Sequence, residues 1–144
     1  MSELIGVWVN CRSEDEAARI AQEAVKRRLA ACSNIYAPIV SSYHWRGRIE
    51  NVREVPLLLK TSASLFGELA RLIEKMHSYE TPGIIGIAAN HVNTAYQEWV
   101  VNETKGAVDR DCVNPALLPS FGRLFEQCAF FWNIMRMYRD FHRH

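Results

Sequence analysis

Met76-His77-Ser78-Tyr79-Glu80-Thr81-Pro82 lies where a helical pattern gives way to an apolar strand, and the reading of this junction decides the fold. Upstream, Leu65, Leu69, Leu72, Ile73 and Met76 recur at helical spacing and form the inner stripe of a helix opening near Ser62 or Ser64. Downstream, Ile84-Ile85-Gly86-Ile87-Ala88 is short, apolar and β-branched, as a buried strand is. Pro82 stops the helix and biases Thr81 toward extended backbone. Ahead of the helix, Glu54 to Lys60 supplies another strand, Val55-Pro56-Leu57-Leu58-Leu59. Pro56 cannot donate to a ladder, so it is expected at the strand start, a bulge or an exposed edge. The whole stretch is therefore one strand-helix-strand unit.

Working back toward the N-terminus, the same order repeats. Leu4 to Val9 reads as a buried strand. Ser13 and Glu16 form a capping box ahead of Ala17, Ile20, Ala21, Ala24, Val25 and Leu29, the apolar face of a first helix. From Ser33 to Glu50 the pattern is extended, with Arg46-Gly47 interrupting it as a turn or bulge does. After the last strand, Thr94 and Gln97 are expected to cap a short closing helix holding Tyr96, Trp99 and Val100. Strand, helix, strand, strand, helix, strand is the βαββαβ order of an α+β, ferredoxin-like split βαβ fold. Two right-handed crossovers place both helices on one face of an antiparallel sheet. The other face, with its exposed aromatics, calls for cover from another subunit.

Bulk properties bound the function. The 144 residues fit one domain with room for an appendage. Residues 1 to 106 carry 12 basic and 12 acidic groups, and residues 107 to 144 carry 5 and 4, so neither part attracts nucleic acid by charge. No signal peptide pattern and no apolar run of membrane-spanning length is visible. Cys11, Cys32, Cys112 and Cys128 lack CxxC spacing, which argues against a zinc ribbon and for free thiols in a reducing cytoplasm. Residues 107 to 144 read as an extension. A linker from Asn114 to Ser120 precedes a helical stripe of Phe121, Leu124, Phe125, Cys128, Phe131, Trp132, Met135 and Tyr138, suited to docking on a neighbouring subunit or another protein.

The opening junction also carries the best chemistry. His77 and Glu80 offer an imidazole and a carboxylate suited to zinc, copper or proton exchange; the plain alternative is a helix-end histidine satisfied by backbone and a surface glutamate. Cys11 follows the first strand just ahead of a helix, where the positive helix end favours thiolate. First and last strands are neighbours in this fold, which brings Cys11 toward His77. A small packing cysteine is the competing reading there. Tyr43, Trp45, Tyr79 and Lys60 form a second cluster, whose aromatic walls and cation suit a planar or anionic metabolite or, equally, a subunit interface. No Ser-His-Asp order, phosphate loop or acidic pair gives an enzyme mechanism positive support.

Four ordered blocks carry a family likeness: Leu29-Ala30-Ala31-Cys32-Ser33-Asn34-Ile35, Tyr43-His44-Trp45-Arg46-Gly47-Arg48-Ile49-Glu50, Leu57-Leu58-Leu59-Lys60-Thr61 and His77-Ser78-Tyr79-Glu80-Thr81-Pro82. Over about residues 4 to 104 the chain resembles the CutA divalent-cation tolerance proteins. The resemblance implies a tight homotrimer that binds copper(II) or other divalent cations at Cys11 and His77, in metal tolerance or response. It also implies an intersubunit cleft holding Trp45, Glu50, Lys60, Tyr79 and Glu80. Alternatives are a signalling trimer with a metabolite in that cleft, or a structural trimer presenting the tail helix to a partner. Ser78 stands where the family usually has Pro, and Gly83 where it commonly has Glu, so a looser turn and one carboxylate fewer are expected.

Overall fold

The computed structural model describes residues 3 to 107; the expected linker and tail helix of the 107–144 extension, with Cys112 and Cys128, lie outside the described residues. The elements are β1 (Leu4–Cys11), α1 (Glu14–Lys26), β2 (Cys32–Ile35), β3 (Ile39–Trp45), β4 (Arg48–Ser62), α2 (Phe66–Met76), β5 (Ile84–Ala88) and α3 (Thr94–Thr104). Strand order is β2-β4-β1-β5, with β3 added to β4, and every pairing is antiparallel. This is the split βαβ sheet expected, α+β in class, with an extra strand where one extended run was read.

That extra strand comes from β4, which is 15 residues long and spans about 50 Å at ~3.3 Å per residue. Its second half pairs with β1 from Val55 to Ser62 and with β2 from Leu57 to Lys60. Its first half, Arg48 to Glu54, pairs with β3 alone and forms a hairpin arm. Arg46 (φ 48°) and Gly47 (φ 78°) make the two-residue turn between the paired Trp45 and Arg48. Left-handed backbone at both central positions matches the right-handed twist of a hairpin, which is why glycine is useful here.

Pro56 corrects an expectation. It is fully buried inside the longest strand, opposite Asn10, and not at a strand start or an exposed edge. Its carbonyl oxygen accepts from the Tyr36 N–H at 2.9 Å. In a strand, N and C=O of one residue face the same side, so the missing N–H points at the seam where β2 has ended and β3 has not begun. Only the second bond of the Tyr36–Pro56 pair is missing, at the end of the β2–β4 ladder.

Helix boundaries moved by a residue or more. A single 3-10 turn, Ala63–Leu65, precedes α2, and no side chain caps it. The N-cap of α3 is Asn93 in place of Thr94, again without a side-chain bond. By contrast Ser13 caps α1 as expected, its hydroxyl accepting from the Glu16 N–H.

Alternation along β1 and β4 sorts the two sheet faces. Val7, Val9 and Cys11 with Val55, Leu57 and Leu59 point to the helices and pack on Ala17, Ile20, Ala24, Leu69, Leu72 and Ile73. The opposite face carries Trp8 paired with Leu58 and Ile85, with Ile85 57% and Ile87 52% exposed. No helix among the described residues is long and apolar enough to cross a membrane.

Candidate functional site

Antiparallel pairing of β1 with β5 sets Val9 against Ile84, so the end of β1 and the α2–β5 junction meet. There Cys11, Glu16 and His77 are all buried, and one donor atom from each lies within 4.8 Å of the others. Cys11 and His77 are thus brought together as expected. The third member differs: Glu80 is exposed and pairs with Arg46 at 3.4 Å, while Glu16 stands beside His77 at 3.8 Å.

Glu16 enters the cluster because of its helix-capping position. One carboxylate oxygen accepts from the Arg12 N–H and the other from the Ser78 N–H, both at 2.7 Å. Burial alone would raise its pKa; these hydrogen bonds and the neighbouring His77 outweigh that and hold the group below its ordinary 4.5. A proline at position 78 has no N–H to donate. The family departure at Ser78 therefore brings a tie between α1 and the α2–β5 junction.

His77 is held at both ring nitrogens. The Tyr79 N–H donates to Nδ1 at 3.0 Å, which places the ring proton on Nε2, 2.9 Å from the Asn10 carbonyl oxygen that accepts it. Cys11 departs from the expected thiolate. Its side chain is fully buried on the core face, and burial, with the charges of Glu16 and Glu54, pushes the thiol up to about 12. The nearby helix end does not overcome these effects.

By type, a thiol, an imidazole and a carboxylate fit copper or zinc. Glu16 and His77 are hydrogen-bonded in the folded state, so a cation would replace the thiol proton on Sγ and, to reach Nε2, would require the ring proton to move to Nδ1, displacing the Asn10 and Tyr79 hydrogen bonds. The donor set therefore fits through proton exchange and a local shift.

On the helix-free side of the same corner lies a cavity of about 610 Å³. Tyr43, Trp45 and Tyr79 line it as one aromatic cluster, together with Trp8, Asn10, Glu54 and Glu80. Lys60 and Glu50 do not. Lys60 sits six residues along β4 from Glu54, about 20 Å away at ~3.3 Å per residue, and Glu50 pairs with Tyr43 on the arm, exposed. In the protomer, where a planar or anionic metabolite between subunits was expected, the lining carries Glu54 and an Arg46-paired Glu80. Glu54 and Asn10 went unnoticed in the sequence; strand parity with Trp8 was the available signal.

A family described as "CutA1 divalent ion tolerance protein" matches residues 5–103. Human Protein CutA is 36% identical over 108 residues, which are 75% of this chain and 60% of that protein. The chain thus spans under two thirds of that relative's length. The divalent-cation tolerance protein CutA of Pyrococcus horikoshii is 35% identical over 71% of this chain and 99% of its own. The solved periplasmic divalent cation tolerance protein CutA from Archaeoglobus fulgidus superposes with a TM-score of 0.69 at 32% identity, covering 71% of this chain and 99% of that one. CutA1 from Oryza sativa gives 0.69 and 32%, over 71% and 94%. With the fold and more than two thirds of its length matched, the chain belongs to the CutA1 divalent ion tolerance family.

Proposed function

We propose that this chain forms a homotrimer that binds a divalent cation, copper(II), in metal ion tolerance, with Cys11 and His77 as the ligands and Glu16 as their neighbour. The observation that carries the reading is the convergence of three donor atoms within 4.8 Å in a chain of this family. Sulfur and imidazole nitrogen favour copper and zinc over magnesium or calcium. Since the cation replaces the Cys11 thiol proton and needs a neutral imidazole, binding weakens as pH falls. A reducing compartment, the cytoplasm, suits a ligand that has to remain a thiol. The role is read as one of binding and response rather than catalysis, because none of the three donors lines the cavity on the other face of the corner.

Trimerisation is supported by the arm and the uncovered sheet face. Val40 (68%) and Ile49 (66%) on the arm are exposed large hydrophobics, as are Ile85 and Ile87 on the sheet. Surfaces of this kind are association surfaces.

The test is copper(II) titration by calorimetry on the full chain and on a Cys11→Ala, His77→Ala double variant, with circular dichroism to confirm folding. Wild type is expected to bind saturably and the folded double variant at least tenfold more weakly. Equal affinity in the two proteins removes the assignment.

A further inference from the structure

The cavity beside Trp8 contains a buried carboxylate with no cation to balance it. Glu54 is 5% exposed, on the sheet face away from the helices. Its hydrogen-bond donor is neutral, the Asn10 side-chain amide at 3.1 Å, itself accepting from the Trp8 indole N–H at 3.0 Å, and the neutral Tyr79 phenol lies beside it. No lysine, arginine or histidine pairs with Glu54 among the described residues; Arg46, the cation nearest the rim, stacks on Trp45 and pairs with exposed Glu80. A carboxylate taken out of water without a counter-charge is costly, and a cation supplied from outside removes the cost.

The walls indicate which cation. Trp8, Tyr43 and Trp45 line the cavity with aromatic rings, whose faces attract ammonium groups and accept aliphatic carbon equally well. About 610 Å³ falls within the range of small-molecule sites. An anion would meet Glu54 and Glu80. A bare metal ion is less well served, because the one set of three close metal-ligating side chains among the described residues is Cys11, Glu16 and His77 on the other face.

We propose that this cavity is a binding site for a small organic ammonium compound, an amine with a short aliphatic body, its charge on Glu54 and its carbon skeleton against Trp8, Tyr43 and Trp45. The site is separate from the copper centre and stands without it. Asn10 orients the Glu54 carboxylate, and Glu80 stands at the mouth already paired with Arg46. The same ammonium chemistry is available from Lys60 of a neighbouring copy, and the experiment separates the two sources.

The experiment is calorimetric titration of the full chain in sodium buffer with EDTA, using n-butylammonium, with n-butanol and butyrate as neutral and anionic controls. The expected result is saturable n-butylammonium binding, at least tenfold weaker in Glu54→Gln and in Trp45→Ala, with n-butanol at least tenfold weaker and butyrate silent. Trp45 is half-exposed on the arm, so its variant keeps the test open if Glu54→Gln does not fold. The Cys11→Ala, His77→Ala variant, whose residues lie outside the cavity lining, should keep saturable n-butylammonium binding, so a failure of the copper reading is distinguishable from a failure of this one. No saturable binding, equal affinity in both folded variants, or preference for butyrate overturns the proposal. Binding that appears only after Lys60→Met also overturns it, since the lysine would then be the native occupant.

Discussion

Ser78 donates its backbone N–H to Glu16, and through that bond the start of α1 is fastened to the α2–β5 junction. Replacing Ser78 by Pro deletes the donor and leaves a buried carboxylate oxygen short of a partner. A loss of about 1 to 3 kcal/mol is expected from denaturant unfolding, whereas Ser78→Ala, which keeps the N–H, should lose less. Glu16 itself sets an acid limit. Its folded pKa lies below the ordinary 4.5, so its contribution is fully present above that value and disappears as pH falls through the folded pKa. Unfolding free energy measured from pH 6 to pH 3 should therefore fall less steeply in Glu16→Gln than in wild type. At this scale the sequence located Cys11 and His77 because strand order alone makes them neighbours. Glu16 was legible only as a capping residue, since its second hydrogen bond crosses 62 positions to Ser78. Glu54 was hidden for a related reason: its meaning depends on which sheet face it occupies, and that depends on register.

Among the elements, β4 carries the most structure. Leu57 is fully buried on its helix-facing side, between the ladders to β1 and β2. Leu57→Ala is expected to cost about 2 to 5 kcal/mol in chemical denaturation, from lost burial and the cavity left behind. The capping box at Ser13 and the helical stripes were readable because they are local, set by residues three or four apart. The division of Ser33 to Glu50 was not, because both halves of an extended arm look alike until partners are known. Pro56 illustrates the same difficulty. A missing donor disqualifies a central strand only if it breaks up the ladder, and at the seam between β2 and β3 it costs one bond at the ladder's end.

For the whole molecule, the described residues leave one sheet face and a hairpin arm exposed, and the proposed trimer is what covers them. Ile49→Asp, on the exposed arm, should weaken assembly by sedimentation while circular dichroism of α1 and α2 is retained. The family match ends at residue 103, and the Archaeoglobus fulgidus relative is covered over 99% of its own chain. Removing residues 108 to 144 is accordingly expected to leave the oligomeric state unchanged. Native mass spectrometry of the full chain, with and without copper(II), reads assembly and metal together. The account requires a trimer that takes up copper, and a Cys11→Ala, His77→Ala variant that stays trimeric and takes up none. A monomer, a trimer without copper, or equal uptake by both proteins would contradict it.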